Sequence, residues 1–587
     1  MTLQIPIGIS DFRMLRERDL EYIDKSHLIC ELVDWTGVEV ALLPRPRRFG
    51  KSLNLSMLRW FFEKRDEDLW PLFDGLHIAR AGQAYRAHFQ RYPVVYVSFK
   101  ATRADRFEVC RDSLRLVIRD LYHERVALLE RGVLDEWERA DFLAVLDGSA
   151  SEAVYRRSLL CLTGILHRVH GERVVVLIDE YDAPLHAGWA HGYYREVADF
   201  FRGFFEAGLK DNPHLHKGVL TGILRVAKES IFSGLNNLAV YTLLDAELST
   251  CFGFTEAEVA GLLAKAGVPE LLEPVRAYYN GYVFGGEAIY NPWSILHFVA
   301  SSTKELVPYW VTTSGNELVK ELLLHHAFAV HEDMATLLAR DSIEQRIDED
   351  IVFPDLRASP QALWSLLVFS GYLRAERGPV VPGKPRPPLR LSIPNEEVFE
   401  VYRRTFQSWM DQGLRAEGGG VEALLDALLQ GDAGRLEGEL QRLATYMITS
   451  HDVGGRDPER FYHGLMLGLL AGLEPDYEVR SNRESGEGRP DVWVKPRTAG
   501  KPGVVLELKI ARAKGKTLAG ALREGIAQVR AKNYAAELHA AGAGQVHALV
   551  VAFDGKRVRV ASVDAAVSAK GARAKKRGSK RPSSGRG

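Results

Sequence analysis

Two separated groups of residues in this chain have the types and spacing to do chemistry on phosphate. The first is Pro44-Arg45-Pro46-Arg47-Arg48-Phe49-Gly50-Lys51-Ser52. The apolar run Val38 to Leu43 before it reads as a buried strand, and Leu53 to Phe62 after it has the apolar spacing of a helix. Strand, loop, Gly-Lys-Ser and helix is the layout of a phosphate-binding loop, in which backbone N–H groups and a helix N-terminus face the phosphates. Lys51 would then reach the β/γ-phosphates of a nucleotide and Ser52 would ligate Mg²⁺. Arg45 stands where the first glycine of the usual G-x-x-x-x-G-K-[ST] pattern falls. The competing reading is a chance Gly-Lys-Ser in a basic turn.

Downstream, Arg173 to Ile178 is an apolar strand that ends in Asp179-Glu180-Tyr181-Asp182. In a parallel sheet such a strand places its two terminal carboxylates at the edge where a nucleotide sits. Asp179 would hold Mg²⁺, Glu180 would polarise the attacking water, and Asp182 would have a supporting role. A further strand, His216 to Ile223, carries Thr221, placed to sense a γ-phosphate. Arg225 and Lys228 follow as cations for phosphate charge or as solvated loop residues.

The second group lies near the C-terminus. Asp491 opens the strand Asp491-Val492-Trp493-Val494, and Glu507 and Lys509 alternate along Gly503 to Lys509. A turn through Pro496 to Pro502 joins the two into a hairpin, and alternation puts Glu507 and Lys509 on one face. Two carboxylates and an amine on one face suit Mg²⁺ or Mn²⁺ held by Asp491 and Glu507, with Lys509 positioning or activating water for attack on a phosphodiester. The bland alternative is a solvated Glu/Lys strand face. Arg512, Lys514, Lys516, Arg523, Arg530 and Lys532 add positive charge that suits a nucleic-acid backbone. Gln528 and Tyr534 are expected on the helix after the hairpin, in support of the site.

The elements that must position these groups form an α/β pattern. Five strands, including Tyr92 to Phe99 and Leu238 to Leu243, are interspersed with helical patterns such as Arg106 to Arg131 and Ser151 to His170. That predicts an N-terminal P-loop parallel sheet with helices on both faces. The expected divisions are an ATPase-like domain with an N-terminal arm over 1–250, a helical lid over 251–345, a winged-helix-like and helical region over 346–455, a nuclease-like α/β domain over 456–568, and a disordered basic tail over 569–587. Aromatic turns at Tyr278 to Tyr282, Tyr290 to Ser294 and Tyr309 to Asn316 serve packing or a base-stacking surface.

Bulk properties narrow the function. The 587 residues are 46% hydrophobic and 26% charged, and the net charge is −1, so a nucleic-acid surface has to be local. Cys30, Cys110, Cys161 and Cys251 include no close pair, which argues against a disulfide framework or zinc site and fits the cytoplasm. No apolar run is long enough to span a bilayer, so no membrane role is expected.

The N-terminal half resembles the AAA-ATPase-like family of bacteria and archaea. The pieces that match are Pro6 to Phe12, Tyr22 to Lys25, Arg45 to Ser52, Asp179 to Asp182, Ser233 to Asn237 and Thr313 to Asn316. The C-terminal part resembles the PD-(D/E)xK nuclease-like domain commonly fused to it, through Arg483 to Gly486, Gly488-Arg489, Asp491 and Glu507-Leu508-Lys509. The family itself carries Arg-Pro-Arg-Arg-Phe-Gly-Lys-[ST], so Arg45 is part of its pattern and Arg47, Arg48, Phe49 and Gly50 belong to its nucleotide loop. The resemblance implies ATP with Mg²⁺, a C-terminal α/β restriction-endonuclease-like fold, and nucleic acid, DNA first, as partner. A homo-oligomer stays open. Many such nucleases carry a Glu on the helix before the hairpin, where this chain has His463 and, near the helix start, Glu459. A nucleotide-controlled switch whose C-terminal fold only binds nucleic acid is the alternative.

Overall fold

The computed structural model describes residues 3–224, 231–232, 234–310, 317–378, 383, 386–416, 418–447, 458–473, 476–481, 490–511, 517–532, 534–555 and 557–563. Arg225, Lys228, Ser233, Thr313 to Asn316, Arg483 to Arg489, Arg512, Lys514, Lys516 and the basic tail lie outside the described residues. The chain divides into two compact units, Met1–His325 with Glu344–Phe399, and His326–Ile343 with Glu400–Gly587.

In the first unit, β1 (Val40–Pro44), β2 (Val94–Ser98), β3 (Val174–Asp179), β4 (Leu215–Gly222) and β5 (Leu238–Val240) form a sheet in the order β2-β3-β4-β1-β5. Every pairing in it is parallel. All residues of β1 and β3 are buried, as expected of strands covered on both faces. One face packs on the helices His27–Asp34 and Lys51–Phe62 through Leu28, Leu55, Leu58 and Phe61. The strand order separates β1 from β3 by β4, so the loop after β1 and the acids after β3 face each other across Thr221.

The segment expected to be helical over 251–345 also contains a small antiparallel sheet, β6 (Phe254–Thr255), β7 (Tyr282–Phe284) and β8 (Glu287–Tyr290), in the order β6-β8-β7. Tyr282 and Tyr290 thus lie in strands rather than turns. The run was too short and too interrupted by glycine to show strand periodicity. The helix Pro292–Ala300 follows, capped by Asn291, whose side chain accepts from Trp293 N and Ser294 N. Further on, β9 (Ile343–Gln345), β10 (Arg374–Glu376) and β11 (Leu389–Ser392) make a three-stranded sheet, with the helix Pro360–Phe369 between β9 and β10 in sequence and Glu396–Ala416 after β11.

The second unit holds β12 (Tyr477–Ser481), β13 (Val492–Pro496), β14 (Gly503–Ile510), β15 (Val546–Asp554) and β16 (Arg557–Ser562), ordered β12-β13-β14-β15-β16. Only β14 and β15 pair in parallel, and the helices Leu518–Ala531 and Ala535–Ala540 form their crossover. The helix Pro458–Leu470 docks through Tyr462, which stacks on Phe553 at 4.1 Å and donates to the Gly555 carbonyl.

Candidate nucleotide and phosphodiester sites

The loop after β1 turns through two left-handed residues, Arg48 (φ 68°) and Gly50 (φ 85°), before Lys51 opens the helix Lys51–Phe62. Gly50 takes that conformation at no steric cost; Arg48 has to be held there. Phe49 does the holding. Its side chain is fully buried and meets Tyr282 and Phe284 at 5.0 and 5.1 Å. It anchors the loop by packing.

Arg45 is also fully buried. Its guanidinium donates to the carbonyls of Pro44 (2.8 Å), Tyr241 (2.7 Å) and Leu248 (3.4 Å) and lies over Phe252. Burial pulls its pKa down to about 10, so it stays charged. A glycine at this position would leave those carbonyls without a donor, which explains why this loop departs from the common pattern.

Behind the loop, Asp179 is 2% exposed and each of its oxygens has a partner. Ser52 Oγ donates to Oδ2 at 2.6 Å, and Thr221 Oγ1 donates to Oδ1 at 2.7 Å. Lys51 Nζ donates to the carbonyls of Arg45 and Pro46, at 2.9 and 2.8 Å, and burial lowers its pKa to about 8. The residues fit a nucleotide with Mg²⁺: a hydroxyl and a carboxylate stand 2.6 Å apart beside a buried ammonium at a helix N-terminus.

Glu180 has a left-handed backbone (φ 49°), and its carboxylate pairs with Arg103 at 3.2 Å. Tyr181 and Asp182 do different work. Tyr181 donates to the Leu224 carbonyl at 2.5 Å, and Asp182 accepts from Ile223 N and Leu224 N. Together they clasp the segment that leaves β4. Gly222 is needed there, because a Cβ would sit 2.7 Å from Tyr181 and 2.9 Å from Asp182.

A cavity of about 410 Å³ is lined by Lys51, Ser52, Glu180 and Asp182 of these groups. Arg47, Arg48, Lys51, Lys100 and Arg103 line it, as do the apolar Ile9, Ile23, Phe254, Pro292 and Trp293. Lys100 and Arg103 escaped the sequence reading. The one signal available was that two cations follow the end of β2, which the parallel register sets beside Asp179 through the Ser98 pairing.

In the second unit, β13 and β14 pair antiparallel with Val492 opposite Leu506. One step further sets Asp491 opposite Glu507, on the face that Lys509 shares. Asp491 Oδ2 accepts from Leu508 N at 2.7 Å, which ties the two strands at the site. Glu507 is 0% exposed; its Oε1 accepts from Lys509 Nζ at 2.6 Å, and its Oε2 has no partner. Burial and the facing Asp491 raise its pKa to about 7. Burial alone would lower Lys509, but the hydrogen bond and charge of Glu507 outweigh it, and the group titrates above the ordinary lysine value. Lys509 therefore acts as a fixed cation.

The donor set fits a hard divalent cation: two facing carboxylates, one with a buried orphan oxygen. Among the described residues no group of three or more His, Cys, Asp and Glu is gathered for a metal, so the acids form a pair. His463 Nε2 lies 3.2 Å from the Asp491 carbonyl. A carbonyl only accepts, so Nε2 carries the proton and His463 braces Asp491. Gln528 lies on the helix Leu518–Ala531, whereas Tyr534 caps the next helix and packs in the core with Leu538. Lys532 ends the first helix, and sequence spacing alone could not show that break.

Residues 6–232 match the family described as "Predicted AAA-ATPase". Residues 457–563 match the PD-(D/E)XK nuclease superfamily. A protein of Azotobacter chroococcum mcd 1, described as "Uncharacterized protein in vnfD 5'region", is 30% identical over 406 residues, which cover 67% of this chain and 68% of the relative. The parallel sheet with its phosphate loop and the mixed sheet with its acid pair are the two folds these matches describe. The chain is a member of the AAA-ATPase-like family with a PD-(D/E)XK nuclease-superfamily domain fused at its C-terminal end.

Proposed function

We propose that this protein binds and hydrolyses ATP in its first unit and cleaves nucleic-acid phosphodiesters, DNA first, in its second, with ATP turnover gating cleavage. The observation that carries the reading is the placement of Asp491 opposite Glu507 with an unpartnered carboxylate oxygen, beside the Lys509 ammonium. A solvated strand face would not bury that oxygen.

In the first unit, Lys51 would exchange its two carbonyl partners for phosphate oxygens. Ser52 and Asp179 would hold Mg²⁺, which supplies charge neutralisation at the phosphates. Glu180, released from Arg103, would orient the attacking water, and Arg47, Arg48, Lys100 and Arg103 would balance the remaining charge. Thr221 keeps Asp179 oriented. Arg225 is assigned to phosphate charge from its sequence position. In the second unit, Asp491 and Glu507 would hold Mg²⁺ or Mn²⁺, which neutralises the phosphate under attack. Lys509 would hold the attacking water and the scissile phosphate by its charge.

The test is cleavage of a panel of DNA and RNA forms in Mg²⁺ or Mn²⁺, with and without ATP. It compares the parent with Asp491→Ala and Lys509→Ala. Cleavage by the parent that both substitutions abolish supports the reading. Equal nicking by all three removes the nuclease, and parent cleavage that ignores ATP removes the gating.

A further inference from the structure

The cavity that holds Lys51 and Ser52 does not end at the phosphate-binding groups. Ile9 and Ile23 of the N-terminal arm, Phe254, Pro292 and Leu296 also wall it. Trp293 lines the same cavity, half-buried, in the first turn of the helix Pro292–Ala300. Asn291 caps that turn, and His297 contacts the indole with ring centroids 4.3 Å apart. On the indole lies the Arg48 guanidinium, 4.0 Å from the ring centroid. Arg48 is an exposed residue of the phosphate loop itself.

A guanidinium is planar and delocalised, and it stacks on an indole in the manner of a heteroaromatic ring. An aromatic face inside the same cavity as the phosphate loop, covered by an exposed planar group, has the form of a nucleobase platform. The apolar walls around it suit a base and not a phosphate. This deepens the ATP reading and rests on it. The geometry points to Trp293 as the platform for a purine base, which stacks on the indole in place of the Arg48 guanidinium. The displaced Arg48 turns to the phosphates, so the loop gains a charge contact as the base is seated. Stacking has no hydrogen-bond code, so the platform favours purines over pyrimidines by ring area.

The experiment is calorimetric binding, with Mg²⁺, of ATP, CTP and inorganic tripolyphosphate to the full chain and to Trp293→Ala and Trp293→Phe. The expected result is a loss of about tenfold in ATP affinity for Trp293→Ala, the size of one base–aromatic stack. Tripolyphosphate affinity should be no weaker than the parent's, the preference for ATP over CTP should shrink, and Trp293→Phe should keep most of the parent's ATP affinity and of that preference. ATP affinity unchanged in Trp293→Ala overturns the platform. So does an equal loss for ATP and tripolyphosphate, which would make Trp293 a support for the whole pocket. A parent that binds tripolyphosphate but not ATP overturns the platform alone; a parent that binds neither overturns the ATP reading beneath it.

Discussion

Asp179 and Glu507 are both buried strand carboxylates next to a lysine-bearing motif, and their surroundings differ in kind. Asp179 has a hydroxyl on each oxygen, from Ser52 and Thr221. Lys51 beside it is satisfied by two loop carbonyls. Glu507 has one oxygen on Lys509 and one without a partner, and it faces a second carboxylate. The first site has folded-state partners standing in for the ligand at its key groups, so a nucleotide has to displace bonds of comparable quality. The second holds an unbalanced charge that a divalent cation would relieve. A phosphate loop can be organised by its own fold, whereas an acid pair becomes favourable only with its counter-ion.

The sharpest way to break this contrast is at Glu180. If the first site is a prearranged hydrolytic centre, Glu180→Gln binds ATP as the parent does and turns it over at least about 100-fold more slowly, the cost of losing a general base. Steady-state turnover beside equilibrium binding decides it, and unchanged turnover rejects the role.

Glu397 is the control for Glu507, because burial also drives it to about 7 while Ser294 Oγ and Trp310 N satisfy both of its oxygens. Its carboxyl ionises near 4.5 in the unfolded chain and near 7 in the fold. Between those values the folded state binds more protons, so stability falls as pH rises from 4.5 to 7. Glu397→Gln should remove that fall, on the order of 3 kcal/mol by the usual conversion of a pKa shift. Denaturant unfolding followed across pH 4.5 to 8 measures it; identical pH profiles for parent and variant would refute it.

Arg45→Ala should destabilise the first unit by at least about 2 kcal/mol, because the carbonyls of Pro44, Tyr241 and Leu248 lose their donor. A variant as stable as the parent would show that the buried cation is dispensable. The smallest expected effect sharpens the contrast directly. Mg²⁺ at tenfold excess over its dissociation constant should stabilise the second unit by about 1.4 kcal/mol, seen as a rise in its unfolding midpoint. Asp491→Asn and Glu507→Gln should abolish that rise. Without nucleotide, Asp179→Asn should leave it intact.

By itself the sequence determined the five strands of the first sheet, the Gly-Lys-Ser turn, the Asp179 strand end and the Asp491 to Lys509 hairpin. Each of these is written in local periodicity: buried parallel strands are continuous apolar runs, and a hairpin declares itself by alternation around a turn. The small sheet β6 to β8 was not legible, because strands of two to four residues carry too few alternations to count. Tertiary structure alone decided which cations meet which acids. Arg103 reaches Glu180 across 77 residues, and Arg48 reaches Trp293 from a different element. The first contact depends on the pairing of β2 with β3, which sets Ser98 beside Asp179, and the second on the helix that follows the small sheet β6-β8-β7. Side-chain contacts between remote segments are set by where the sheet and its helices place them, and no local spacing records that.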